Sequence, residues 1–208
     1  MYTMYTIYKM TYFYTTKEFP KMKILEDNYE NIKKEIPNFV FENVKIKRKR
    51  EEWGKEGENL FTALQNNKEW ILSWQAEDSW FSFPLMYNNR VFGLAEEMCP
   101  NTIKILKSLG NIKTSGFSLL YPKSSLDIHT DDVGPSFNSM ALNMSLTGTN
   151  SNLSIYEDNK KYIYYHENGK AVIFNSEYYH NASNNGDINR VILYIDFEID
   201  SCLLHHSK

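Results

Sequence analysis

"KAVIFNSEYYHNASNNGDINRVILYIDFEI", Lys170–Ile199, is the stretch whose reading decides the fold. It opens and closes on runs rich in β-branched and aromatic residues, which read as strands. The span between them carries the turn residues "SNNGD", which break a helix and favour a tight reversal. Working back towards Gly110, the same grammar repeats in "TSGFSLLYP", "SLDIHT", "SMALNMSLTG", "NLSIYED" and "KYIYYHE", with "GTNSN" and "DNKK" as punctuation. Short strands at this spacing predict a sandwich or a jelly-roll barrel. The first half is different. Leu25, Tyr29, Ile32 and Ile36 fall at helical spacing before Pro37, which predicts a helix over Met22–Ile36. "NFVFENVKIK" and "SWFSFPLMY" read as strands, Asn66–Gln75 as a short helix, and Asn88-Asn89 as a turn. Pro100 stands where a first helical turn tolerates proline, the stripe Thr102, Ile105, Leu106, Leu109 follows, and Gly110 supplies the stop. The fold class is mainly β with flanking helices.

A chain of 208 residues suits one domain with a sizeable core. Residues 1–20 read as an N-terminal extension, either an edge strand or a separate tail; residues 21–208 form the domain, its β core at about 112–200. A net charge of -3 with mixed signs gives no electrostatic case for nucleic acid or an anionic membrane. The basic run Lys45–Arg50 reads as a solvated face. Two cysteines, Cys99 and Cys202, cannot build a disulfide framework, and no apolar run spans a bilayer. The expected setting is cytoplasmic.

"LDIHTDD", Leu126–Asp132, raises the chemical question. On a strand, residues i and i+2 share a face, so His129 and Asp131 aim together and Thr130 away. Such a pair is half of a metal site. His180, after the strand "KAVIFNS", supplies a third ligand, and Arg190 opens the next strand. Two histidines and one carboxylate leave open positions on an octahedral ion, the arrangement used by non-haem Fe(II) enzymes that bind a cosubstrate and O2. A cosubstrate with a distal carboxylate also needs a fixed cation, for which arginine is the planar, bidentate choice.

With these residues in place, Ser79–Ile199 resembles the aspartyl/asparaginyl β-hydroxylase family of Fe(II)- and 2-oxoglutarate-dependent oxygenases. The resemblance lies in "WFSFPL", "CPNTIKIL", "GFSLLYPKSSLDIHTD" and "GKAVIFNSEYYHNASNNGDINRVILYIDF". It implies a double-stranded β-helix (cupin-like) fold, Fe(II), 2-oxoglutarate and O2. The implied reaction is hydroxylation of an unactivated C–H, with release of succinate and CO2. It also implies that His129, His180 and Asp131 hold the metal, although some members have glycine in place of the carboxylate. Arg190 and Ser118 then bind the distal carboxylate of 2-oxoglutarate. Where the family often has an Arg-x-His pair, this chain has Ala141 and Asn143. Asn143 can still hydrogen-bond the cosubstrate; Ala141 supplies no cation, which leaves the hydroxylated group open. The expected substrate is an aspartyl, asparaginyl or related residue of a protein or peptide. A free amino acid or other small molecule is the alternative enzyme reading, and a non-catalytic β-barrel binding module the alternative of another class.

The remaining candidates read as structural. Glu177 is expected in an exposed turn, Trp70, Trp74 and Trp80 in the core, Arg90 at a surface turn and Cys99 as a small buried hydrophobe. Asp132 is expected to face away from the metal. His166, His205 and His206 fall outside the constellation.

Overall fold

The computed structural model describes residues 11–48, 57–75, 78–131 and 139–199. Asp132, Cys202, His205 and His206 lie outside them. Helices α1 (Lys23–Asp27), α2 (Tyr29–Lys34) and α3 (Gly57–Ala63) precede strands β1 (Ile71–Leu72), β2 (Trp80–Tyr87) and β3 (Arg90–Val91). Helices α4 (Ala95–Met98) and α5 (Pro100–Leu109) follow. The rest is β: β4 (Ile112–Leu120), β5 (Ser124–Ser125), β6 (Ser139–Thr147), β7 (Ser151–Glu157), β8 (Lys160–Tyr165), β9 (Ala171–Phe174), β10 (Tyr179–Asn184) and β11 (Arg190–Glu198).

The strands form two antiparallel sheets. The larger runs β1-β2-β4-β11-β6-β9, with β3 on β2; the smaller runs β5-β10-β7-β8. From β4 onward the chain crosses repeatedly between the sheets: β6 lies in the larger, the hairpin β7–β8 in the smaller, then β9 in the larger, β10 in the smaller and β11 in the larger, which is the winding of a double-stranded β-helix. Two hairpins close on two-residue loops, Asn88-Asn89 and Asp158-Asn159, and all four residues have positive φ. Asparagine and aspartate accept that conformation at least cost after glycine, and it matches the strand twist.

Burial follows the two-residue period of the strands. Along β11, Val191, Leu193, Ile195 and Phe197 join a core that includes Phe83, Phe117 and Leu142 of the same sheet and Leu25, Ile32, Ile103 and Leu106 of the helices. The alternate residues Arg190, Ile192, Tyr194 and Asp196 face a cavity between the sheets. One strand thus holds the helical layer on one face and lines the site on the other. Pro84 lacks an N–H, and the β2–β4 ladder slips between Pro84 and Met86. Its partner is Gly116, where a Cβ would meet Phe83 O at 2.7 Å, so the approach of these strands requires glycine.

Several local expectations yield to tertiary structure. The helix expected over Met22–Ile36 is divided at Asn28, whose Nδ2 donates to Ile24 O at 2.8 Å and competes with the helical ladder. The strand expected over 38–47 is instead a 3-10 turn at Phe41–Asn43, with only Lys47 bridging to Leu72. Val40 and Phe41 stay exposed, so no sheet face receives them. The helix expected over Asn66–Gln75 is replaced by α3 upstream and by β1, because Trp70 and Ile71 are drawn fully into the core. Of the two readings of the N-terminal extension, residues 11–20 fit the edge pairing: Tyr14 bridges to Ile173 of β9, and Tyr12 and Phe19 are buried. Trp70 is a core residue, its Nε1–H donating to Pro37 O at 3.2 Å.

Helix α5 backs the large sheet, and its N-terminus is held by a remote carboxylate. Glu35 Oε1 accepts from Asn101 N and Nδ2 at 2.9 and 2.7 Å, and Oε2 from Thr102 N and Oγ1 at 2.7 Å each. These bonds satisfy donors that a helix start leaves open and place negative charge at the positive end of its dipole. Glu35→Ala is expected to remove about 1–2 kcal/mol, the usual worth of such a cap. In thermal unfolding this lowers Tm by about 2–8 °C for a domain of this size; an unchanged Tm contradicts it.

Candidate metal and cosubstrate site

The segment Ser124–Asp131 runs antiparallel to β10 as a broken edge. Ser125 pairs with Ser183, Leu126 N donates to Ala182 O at 2.9 Å, and Asp131 N donates to Ser176 O at 3.0 Å. Between them, His129 N donates to His180 O at 3.0 Å and His180 N to His129 O at 2.8 Å. This pair sets the two imidazoles side by side, 4.4 Å between centroids. The expected continuous strand "SLDIHT" is thus only β5 plus one bridge, because Asn181 Nδ2 and Gln75 Oε1 take up Leu126 O and Asp127 N instead. The shared direction of His129 and Asp131 survives. Thr130 does not turn wholly away: it also borders the cavity.

Both imidazoles have the same tautomer for the same reason. His129 Nδ1 lies 2.7 Å from Asp127 O and His180 Nδ1 lies 2.8 Å from Tyr178 O. A carbonyl only accepts, so each Nδ1 carries the proton and each Nε2 a lone pair. Burial, opposed by Asp131, lowers the pKa of His180 and favours this neutral form. The two Nε2 atoms stand 3.6 and 3.7 Å from the Asp131 carboxylate. Three electron-rich atoms facing one another repel unless a cation or protons lie between them. Atoms bound to one ion at about 2.0–2.2 Å are at most about 4.4 Å apart, so these spacings suit a shared metal. All three candidate ligand atoms fall within 4.8 Å of one another.

The cavity beside this cluster has a volume of about 950 Å³. At one end lies Arg190, 1% exposed. Its Nε and Nη2 meet no acceptor, and no carboxylate among the described residues pairs with it. Burial lowers its pKa only to about 10, so it stays cationic at neutral pH. A buried, unpaired guanidinium is costly unless an anion reaches it. Gly148, at φ +96°, packs on its stem, where a Cβ would come 2.9 Å from Arg190 Cα. Asn184 fixes the approach to Arg190: its Nδ2 donates to Leu120 O at 3.0 Å and Ile188 O at 2.9 Å, and its Oδ1 accepts from Gly186 N at 3.1 Å. Across the sheet, Trp80 Nε1–H donates to Ser118 Oγ at 2.8 Å, which leaves the hydroxyl proton of Ser118 to give away. Asn143 also lines the cavity, and its Oδ1 has no partner.

The structure therefore brings together His129, Asp131, His180, Ser118, Asn143 and Arg190 around one cavity. Sequence reasoning gave four neighbours no role at the site, although the family-like segment it singled out closes on one of them, Asp196. Trp74 stands edge-on to His129, 5.7 Å between centroids. Gln75 braces the loop that carries His129. Tyr194 and Asp196 lie beneath Asp131, with Tyr194 Oη 2.8 Å from Asp131 Oδ2 and 2.7 Å from Asp196 Oδ1. Burial first, then the Asp131 charge, pushes Asp196 up to about 8 and Tyr194 well above the usual phenol range. Their positions, four and six residues after Arg190 on one strand, were a usable signal. Trp74 and Trp80 border the cavity rather than fill the core, and so does Arg48 from the basic run read as solvated. Arg90 and Glu177 behave as expected: Arg90 pairs with exposed Glu58, and Glu177 is exposed. His166 is outside the metal cluster, but burial and the Arg190 charge keep its pKa well below the ordinary value.

Residues 26–199 match the sequence profile of the family described as Aspartyl/Asparaginyl beta-hydroxylase. Two curated relatives are similar along most of the chain. An uncharacterized protein, L888, of Acanthamoeba polyphaga mimivirus is 28% identical over 89% of this chain and 70% of its own length. The ornithine lipid ester-linked acyl 2-hydroxylase of Rhizobium tropici is 27% identical over 88% of this chain; the chain spans 59% of that relative's length. Among solved structures, a 2OG-Fe(II) oxygenase family oxidoreductase from Burkholderia pseudomallei aligns at TM-score 0.47 and 10% identity, covering 67% of this chain and 76% of that one. No helix among the described residues is long and apolar enough to cross a membrane.

His129→Ala and His180→Ala are each expected to weaken binding of Co(II), a redox-stable substitute for Fe(II), by more than about 100-fold, beyond the loss usual for residues one step removed from a metal. Calorimetric titration reads this, with circular dichroism showing an unchanged fold. Full-affinity binding by either variant places the metal elsewhere.

Proposed function

The chain belongs to the aspartyl/asparaginyl β-hydroxylase family, a family of Fe(II)- and 2-oxoglutarate-dependent hydroxylases, and from that premise we propose that it hydroxylates an unactivated C–H of a substrate admitted to the cavity. In this reading His129, Asp131 and His180 would hold Fe(II), and Arg190 would take the distal carboxylate of 2-oxoglutarate. The observation that carries it is the pairing of three convergent electron-rich atoms with a buried arginine that no described residue neutralises, both on one cavity. When bound, Fe(II) with 2-oxoglutarate and O2 supplies the oxidation: the cosubstrate goes to succinate and CO2, and one oxygen atom enters the substrate C–H.

The protein's part is placement. Arg190 offers its unpaired N–H groups to the distal carboxylate, and Ser118 adds the proton that Trp80 leaves free. Asn143 presents a partnerless side-chain oxygen towards the same space and so orients groups that donate. The backbone carbonyls of Asp127 and Tyr178 keep both imidazoles in the tautomer that binds metal through Nε2. Trp74, Leu126, Leu153 and Phe174 wall the cavity and limit water, which strengthens each polar contact inside.

The substrate proposed is an aspartyl, asparaginyl or related residue of a protein or peptide. A second reading, an acyl chain, has specific support. The wall carries a large apolar share, Ala141 supplies no cation for a substrate carboxylate, and the Rhizobium tropici relative is named for acyl hydroxylation. Mass spectrometry for a gain of one oxygen, on peptide pools and on lipid extracts incubated with Fe(II) and 2-oxoglutarate, separates the two. No oxygenated product and no succinate in any pool counts against the hydroxylase reading.

Arg190→Ala is expected to raise the 2-oxoglutarate requirement steeply. Loss of a buried charge-assisted pair costs on the order of 2–5 kcal/mol, tens- to thousands-fold in affinity. Succinate production against 2-oxoglutarate concentration measures it; an unchanged dependence moves the anchor to another residue.

A further inference from the structure

The hydroxyl of Tyr194 lies between two carboxylates with a single proton to give. It is 2.8 Å from Asp131 Oδ2 and 2.7 Å from Asp196 Oδ1, both at hydrogen-bond distance. A phenol donates once. If both acids were ionised, one of these contacts would set a lone pair against a negative charge. The two contacts therefore need a second proton, carried by one of the acids. Asp131 faces the lone pairs of His129 and His180 Nε2 and is 27% exposed at its side chain, so the geometry assigns the second proton to Asp196, on the far side of Tyr194 from the histidines. Asp196 is 7% exposed, lies on the same face of β11 two residues from Tyr194, and has no charged partner at ion-pair distance among the described residues. The nearby Lys113 is engaged by Ser139 Oγ at 2.6 Å and by Glu198 at 3.7 Å.

We infer that Tyr194 is a positioning residue for Asp131: Asp196, as a neutral acid, donates to the Tyr194 oxygen, and Tyr194 then donates its proton to Asp131 Oδ2. The chain of donors runs one way, from Asp196 to Tyr194 to Asp131. It is anchored in a strand of the large sheet, whereas Asp131 sits on a loop of the other sheet. A loop carboxylate with two equivalent oxygens has many orientations; a buried donor fixed to one oxygen selects among them. The inference rests on the metal reading of His129, Asp131 and His180.

The test is Co(II) titration of the full chain by calorimetry under anaerobic conditions, with thermal unfolding in parallel. Tyr194→Phe is expected to raise the Co(II) Kd about 10–100-fold, the range found when a partner of a metal ligand is removed. On an Asp131→Ala background the same change is expected to add nothing, because Tyr194 acts through Asp131. Asp196→Asn keeps an N–H donor and is expected to stay within about 3-fold of the parent, whereas Asp196→Leu shares the loss. A Kd for Tyr194→Phe within about 3-fold of the parent, or an equal loss with and without Asp131, overturns the proposal. If Tyr194→Phe does not fold, the Asp196 pair decides: Leu and Asn variants that bind alike overturn it. Failure of the parent to bind Co(II), or binding unchanged by Asp131→Ala, overturns the metal reading itself and is distinct from failure of Tyr194.

Discussion

The two backbone hydrogen bonds between His129 and His180 are the constraint on which the rest of the site depends. They join a loop to a strand at one residue pair, between the ties of Leu126 to Ala182 on one side and of Asp131 to Ser176 on the other, and so bring the imidazoles together. Asp131 follows two residues later and is tied to Ser176 by its own N–H. Asp131, two residues on, keeps the direction of His129 and so faces both rings. The side chains then need no contact with one another to be in register; the main chain sets them there.

The cavity is a place where the fold gives up stability. Arg190 is buried as a cation with unsatisfied N–H groups, Asn143 has an unpartnered oxygen, and Asp196 is an acid with its pKa raised to about 8. Each is unfavourable in an empty site. The compensation lies on the opposite face of the same strands. Val191, Leu193, Ile195 and Phe197 alternate with the polar set and pack on the helices. At roughly 1.5–3 kcal/mol for each large apolar side chain fully buried, four such residues offset costs of the size expected for the orphaned groups. The helices beside this face thus serve the site although they do not touch it, and the Glu35 cap on α5 belongs to the same support.

Much of the fold was legible in local sequence because it depends on local rules. The strands from β4 to β11 follow alternation and turn chemistry, and the hairpins at Asn88-Asn89 and Asp158-Asn159 follow from residues that accept positive φ. The first half was less legible. Asn28 interrupts a helix whose apolar spacing is intact, and Ile71 joins a sheet because that sheet buries it. Propensity is a weak prior against such tertiary demands. Within the candidate site, His129, Asp131, His180 and Arg190 were readable because metal and anion chemistry restrict residue type and spacing. Tyr194 looks like an ordinary strand residue, and Asp196 like no more than the close of the family-like segment, until Asp131 is seen to approach them from another sheet.

The sequence by itself determined which residues carry charge or lone pairs on each strand face, since a two-residue period requires nothing beyond the chain. It also determined the β-helix class and the family. Tertiary structure alone decided what those faces meet. That Arg190 has no carboxylate partner among the described residues, that Trp74, Trp80 and Arg48 border the cavity, and that one phenol spans two acids are facts about contacts between residues far apart in sequence. Such contacts depend on how the two sheets close over one another, and closure is set by the packing of the whole core rather than by any one segment.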